Sequence, residues 1–203
     1  MQRPALIIMV KNPIPGKTKT RLAEDVGNDQ ALAMYDLLMQ HTRDQALGLA
    51  HTTRYLHYSE FVDAKDQWPN GKFIKLVQVG EGLGERMAAA FDHAFARGHD
   101  RIIIVGSDCP GITTDLLTQA YEELVTHELV VGPATDGGYY LLGMRHAHPS
   151  LFTEMTWSVD SVLEETMRRA TKQGLSAATL PALSDVDRLE DWLGYGWKLP
   201  PPS

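Results

Sequence analysis

Four cations, Lys11, Lys17, Lys19 and Arg21, fall within eleven residues of the segment Lys11-Asn12-Pro13-Ile14-Pro15-Gly16-Lys17-Thr18-Lys19-Thr20-Arg21-Leu22. Their spacing suits phosphate, because ammonium and guanidinium donors offset its charge and backbone N–H groups beside a glycine can approach it closely. Pro13 and Pro15 stiffen the way into the loop, and Gly16 admits a positive φ. Lys11, Pro13, Gly16, Lys17 and Thr20 are read as the phosphate-binding surface. Lys19 and Arg21 are placed to offset charge as a bond to a leaving group breaks. A solvated turn with ordinary lysines is the competing reading. A Walker A loop is excluded, since Lys11 stands where that motif needs glycine.

Carboxylates supply the second half of the chemistry. The apolar run Arg101 to Val105 opens into Gly106-Ser107-Asp108-Cys109-Pro110. A carboxylate at a strand end beside a phosphate loop is placed to hold Mg²⁺ or Mn²⁺, hard ions that share oxygen ligands with substrate phosphates. Asp108 is therefore the first metal ligand, unless it only caps the turn at Pro110-Gly111. One carboxylate rarely holds such an ion unaided, and Asp136, Asp185 and Asp187 are the further candidates. In an extended segment Asp185 and Asp187 face the same side. Ser184 or Asp185 equally suits the cap of a helix running through Trp192, which leaves Asp187 as the second ligand.

Gly132-Pro133-Ala134-Thr135-Asp136-Gly137-Gly138 places a carboxylate among small residues. Asp136 is the candidate base or acceptor-hydroxyl ligand, and Gly137 and Gly138 would admit a ligand to the backbone. A tight hairpin turn explains the same residues. Gln78-Val79-Gly80-Glu81-Gly82-Leu83-Gly84-Glu85-Arg86 lacks the spacing of a dinucleotide fingerprint. Gly82, Gly84 and Arg86 instead shape a loop along a base or ribose, and Gln78 could read a base edge. The eight histidines show no metal-ligand spacing, and Cys109, the only cysteine, reads as a small buried residue.

These segments need elements that bring them to one place. Apolar runs at Ala5 to Val10, Thr52 to Tyr58, Lys72 to Val79, Arg101 to Val105, Leu129 to Gly132, Tyr139 to Met144 and Ala177 to Leu180 read as strands. Helical patterns at Asp29 to Leu49, Leu83 to Arg97, Thr113 or Thr114 to Val125 and Val159 to Gly174 fall between them, with a last helical turn before Trp192. The alternation predicts an α/β fold, a mostly parallel twisted sheet with helices on both faces, in one domain over residues 1–198 with a proline-rich tail at 199–203. Ligands of such sheets sit outside the carboxyl ends of the strands, where every unusual segment would fall. A chain of 203 residues with 43% hydrophobic content can bury one sizeable core, and a net charge of −7 argues against general binding to nucleic acid or anionic membrane. One cysteine and the lack of a long apolar run predict a cytoplasmic protein without a membrane span.

In order along the chain, KNPIPGKTKTRL, GEGLGERM, GSDCPGIT, GPATDGGYYLLG, MTWSVDSVL and SDVDRLEDW resemble the small bacterial glycosyltransferase-A-like family of the selenodomain-associated transferase type, within the nucleotide-diphospho-sugar transferases. The resemblance implies that the basic loop binds nucleotide phosphates and that Asp108 replaces the family's metal-binding acidic motif. Asp136-Gly137-Gly138 and Trp157-Ser158 would face the sugar or acceptor. Val159 and Arg188 stand where the family commonly has Thr. A nucleotide or nucleotide-sugar and a small-molecule acceptor are the expected partners. Glycosyl transfer is favoured, with nucleotidyl transfer from a triphosphate or nucleotide binding without turnover as alternatives.

Overall fold

The computed structural model describes residues 3–201, which form a seven-stranded sheet between two helical layers. The strands are β1 (Pro4–Val10), β2 (Thr53–Tyr58), β3 (Ile74–Val77), β4 (Arg101–Val105), β5 (Leu129–Pro133), β6 (Tyr139–Met144) and β7 (Ala177–Thr179). Their spatial order is β3-β2-β1-β4-β6-β5-β7. β6 alone runs antiparallel to its neighbours β4 and β5; every other pairing is parallel. The carboxyl ends of six strands, and the start of β6, therefore share one edge.

Period-two alternation sorts the strand side chains between two cores. Leu6, Ile8 and Val10 pack with the helices α1 (Thr20–Val26), α2 (Asn28–Gly48), α4 (Thr114–Glu123) and α6 (Leu189–Gly194). Ala5 and Ile7 face the layer of α3 (Leu83–Ala96) and α5 (Val162–Lys172). Both faces of β1 are buried, as its uninterrupted apolar run requires. Thr113 caps α4 by accepting the Leu116 N–H at 3.1 Å.

Several boundaries differ from the sequence reading, α5 among them, which starts at Val162 rather than Val159. α1 begins within the basic segment, at Thr20, and runs past it to Val26, where no helix was expected, because Gly27 at φ 84 ends it after seven residues and hides it from a periodicity search. α6 begins at Leu189 rather than at a cap on Ser184 or Asp185, with Asp191 accepting the Asp187 and Arg188 N–H groups at 3.0 and 2.8 Å. The strand expected over 72–79 is only four residues long. In the tail, the Pro200 carbonyl accepts a 2.7 Å hydrogen bond from Gln30, while Pro202 and Ser203 lie outside the described residues. Among the described residues no helix is long and apolar enough to cross a membrane.

Candidate active site at the carboxyl edge of the sheet

The loop after β1 is held by its own polar side chains. Asn12 is buried, and its Oδ1 accepts the Glu60 N–H at 2.9 Å while its Nδ2 donates to the Phe61 carbonyl at 2.9 Å. The Thr18 hydroxyl donates to the Asn12 carbonyl at 2.6 Å and accepts the Ile14 N–H at 3.3 Å. Tyr35 of α2 accepts the Lys11 N–H at 3.0 Å and lies 2.9 Å from the Ser107 hydroxyl, bracing this loop against the one after β4. Gly16 sits at φ 72 with open space around its missing Cβ, so it supplies a left-handed turn rather than relief from a clash. Lys11, Gly16, Lys17 and Thr20 stay exposed and Pro13 is half-buried, which leaves this surface open to a ligand.

Lys19 turns inward. Its Nζ donates to Asp108 Oδ2 at 2.9 Å, the Val186 carbonyl at 2.6 Å and Asp187 Oδ1 at 3.2 Å, and its side chain is only 7% exposed. Arg21 meets the other oxygen of Asp187, Oδ2, at 3.0 Å. Burial by itself would lower the Lys19 pKa, but Asp108 and then Asp187 outweigh it and hold the ammonium above its ordinary value. Burial likewise opposes ionisation of Asp187, and Lys19 and Arg21 reverse that, so its carboxyl titrates below the usual range. The backbone completes the junction: the Val186 N–H donates to the Asp108 carbonyl at 2.9 Å, and the buried Val186 side chain anchors the strand of chain between the two aspartates. Asp108 and Asp187 thus meet across one ammonium, although 79 residues separate them in sequence.

Asp185 lies in the same field. Burial first, then the charges of Asp108, Asp136 and Asp187, push its carboxyl up to about 6. Asp136 is exposed at the β5–β6 turn, where its Oδ1 accepts the Gly138 N–H at 2.9 Å. The turn geometry expected of Asp-Gly is therefore present, and the carboxylate still projects on the edge that carries Asp108. Among the described residues no group of three or more His, Cys, Asp or Glu is placed to hold a metal. Two carboxylates that converge on one point, with the Val186 carbonyl beside them, nevertheless fit a magnesium-type ion, which takes one or two carboxylates and completes its shell with phosphate and water.

The glycine-rich segments are explained differently. A Cβ on Gly84 would lie 2.3 Å from the Trp157 indole nitrogen, so this glycine admits Trp157 against the first turn of α3. Trp157 in turn stacks on Phe152 with ring centroids 6.2 Å apart. A Cβ on Gly137 would lie 2.0 Å from the Asp160 carbonyl oxygen, and the Leu163 N–H donates to the Gly137 carbonyl at 2.9 Å. Gly82 begins α3 in open space, and Ser158 is exposed at φ 62. Gln78 spends its amide N–H₂ on the Val10 and His57 carbonyls, while Arg86 donates to the Gly80 carbonyl and to Gln78 Oε1. The Gln78 amide donors serve the sheet edge, and no base edge is needed to satisfy them. Cys109 is buried, its thiol pushed up to about 12 by burial. The cluster of Asn12, Tyr35, Ser107 and Val186 was missed by the sequence reading. Only Asn12 gave a signal, as a polar residue inside the basic motif.

A family described as "Uncharacterized protein conserved in bacteria (DUF2064)" matches residues 41–159. A solved structure of a "putative nucleotide-diphospho-sugar transferase" from Desulfovibrio desulfuricans G20 is 34% identical, covers 93% of this chain and 84% of its own, and superposes with a TM-score of 0.86. The inositol-1-phosphate CTP transferase from T. maritima shares the fold at 13% identity, with coverage of 94% and 91% and a TM-score of 0.60. Rv0371C from Mycobacterium tuberculosis H37Rv, solved in complex with manganese, shares it at 12% identity, with coverage of 95% and 97% and a TM-score of 0.53. No curated protein sequence matches significantly.

Proposed function

This chain belongs to the DUF2064 family of bacterial proteins, and we propose that it is a metal-dependent transferase that uses a nucleotide-sugar and passes the glycosyl group to a small-molecule acceptor. One observation carries the reading: Lys19 and Arg21 of the basic loop converge on Asp108 and Asp187 at the carboxyl edge of the sheet. That arrangement supports a reading in which cations meet a diphosphate and carboxylates a divalent ion. The 34% identical neighbour, described as a "putative nucleotide-diphospho-sugar transferase", supports the substrate class.

In this reading Lys11 and Lys17 hold the phosphates from solvent, and Arg21 and Lys19 offset charge on the departing nucleoside diphosphate. Asp108 and Asp187 would hold Mg²⁺ or Mn²⁺, which supplies Lewis-acid neutralisation of the leaving group. Asp136, exposed and fixed by the Gly138 N–H, accepts the proton of the acceptor hydroxyl. Trp157 and Ser158 line the acceptor side. Nucleotidyl transfer is the second reading, favoured by the exposure of Lys11 and Lys17, which leaves positive charge for a further phosphate.

The test is a thermal-shift screen of nucleoside triphosphates and nucleotide-sugars, with and without Mn²⁺, since a ligand bound only by the native state raises its melting temperature. Nucleotide-sugars that shift the transition with Mn²⁺, and lose most of that shift in Asp108→Asn, support glycosyl transfer. Shifts confined to triphosphates support nucleotidyl transfer. Shifts indifferent to metal and to Asp108→Asn refute the metal-dependent mechanism.

A further inference from the structure

The two carboxylates assigned to the metal are the two that hold Lys19. All three ammonium protons find acceptors, on Asp108, Val186 and Asp187, which is the full complement a lysine can donate. A divalent ion held by Asp108 and Asp187 would compete for the carboxylate oxygens that Nζ now occupies. Two cations in contact there would repel each other with little water between to screen them, because the Lys19 side chain is almost wholly buried. Arg21 does not compete. It grips Asp187 by Oδ2, which fixes that carboxylate with Oδ1 turned to the shared point.

The backbone of Lys19 shows the same constraint. It stands at φ 54 and ψ 46, a left-handed conformation uncommon for lysine, at the residue that begins α1, with no side-chain cap on the helix. The chain accepts this local cost where tertiary contacts fix the ammonium. Beside it Lys11 and Lys17 face solvent, so a polyphosphate arriving at the loop meets them first and offers Lys19 a second set of anionic acceptors.

We propose that Lys19 and the divalent cation are alternative occupants of the Asp108–Asp187 carboxylate pair, and that nucleotide phosphates open the pair to metal by drawing the ammonium away. The inference rests on the proposed function for its ligands. It adds that the free protein takes up metal poorly, that nucleotide and metal bind with positive coupling, and that Lys19 carries this coupling.

Free Mn²⁺ is titrated by electron paramagnetic resonance into the wild type and Lys19→Met without nucleotide. Lys19→Met binds Mn²⁺ at least about tenfold more tightly, and adding Asp108→Asn to it abolishes the gain. Equal or weaker binding by folded Lys19→Met overturns the proposal. Because that variant leaves two facing carboxylates without a counter-charge, a measurement on the wild type stands beside it. Lysine acylation read by mass spectrometry finds Lys19 protected in the free protein and severalfold more reactive at Mn²⁺ concentrations the titration shows to be bound by the wild type; protection unchanged with Mn²⁺ bound overturns the proposal. UDP, CDP and GDP then raise Mn²⁺ uptake in the wild type far more than in Lys19→Met. Failure of all three to bind refutes the proposed function and the phosphate trigger, whereas the shared occupancy is decided by the Mn²⁺ comparison alone.

Discussion

The two halves of the site edge are built on opposite principles. In the half made by the loops after β1 and β4 and the segment before α6, charged side chains hold one another: Lys19 to Asp108 and Asp187, Arg21 to Asp187. In the half made by the β5–β6 turn, the start of α3 and the chain before α5, the contacts are steric, with Gly137 against Asp160 and Gly84 against Trp157. The first half can exchange partners, since each ion pair has a counterpart in a metal ion or phosphate. The second has less freedom, because at Gly137 main chain is pressed against main chain and at Gly84 a bulky indole fills the space of the missing Cβ. Under the proposed function, the difference separates a region that would respond to ligand from a frame that would place it.

Gly137→Ala tests the frame at its tightest point and carries the largest expected effect. The new Cβ would meet the Asp160 carbonyl oxygen, carbon and Cα at 2.0, 2.6 and 2.6 Å, and φ of +90 disfavours any side chain. No rotamer change relieves a clash with main chain, so the turn and the start of α5 must part. Strain and overpacking together cost about 4 kcal/mol, read as a lower urea midpoint. A loss below about 1 kcal/mol would show that the frame yields, and the contrast between the halves would fail.

What was legible in the sequence follows the same division. The strands and the edge they share were readable because buried parallel strands leave uninterrupted apolar runs, as in Ile102 to Val105. Lys19, Asp108 and Asp187 were singled out because they flank the ends of predicted strands, and the structure brings the three side chains together. The glycines were legible as positions of close approach, but their sequence does not say what approaches. For Gly84 and Gly137 it is Trp157 and Asp160. Tyr35 was invisible, since on an amphipathic helix it looks like any core aromatic until its hydroxyl is seen between Lys11 and Ser107. The direct grip of Lys19 on both aspartates was also hidden, because residues expected to share a substrate were not expected to satisfy each other without it.

The charged half makes a pH prediction of opposite sign to most carboxylate sites. Asp185, with its carboxyl pushed up to about 6 against a usual value of 3.8, binds a proton more tightly in the folded chain than in the unfolded one. Its contribution to stability is therefore lost as pH rises from about 4 through 6. Asp185→Asn removes a charge that burial disfavours first and that Asp108, Asp136 and Asp187 repel. The variant should be more stable than the wild type by about 2 kcal/mol above pH 7, after allowance for solvent screening of a half-buried group, and the gain should vanish below about pH 4. Paired urea titrations at the two pH values check it. A variant equally or less stable at high pH would mean that these carboxylates are already neutralised in solution, which would blur the distinction between the halves.

Asp191→Ala gives the smallest effect and probes where the halves join. Asp191 accepts the N–H groups of Asp187 and Arg188, so it caps α6 and orients the peptide that carries a proposed metal ligand. Losing such a cap costs about 1 kcal/mol, since α6 is only six residues long and water can replace the acceptor at its exposed end. The informative quantity is the ratio of effects. If the charged half is held by its side chains, Lys19 and Arg21 keep Asp187 in place, and the affinity for a nucleotide with Mn²⁺ falls less than about threefold while the urea midpoint drops. A fall in affinity as large as that of Asp108→Asn would mean that the backbone cap positions Asp187, making the charged half a rigid frame as well.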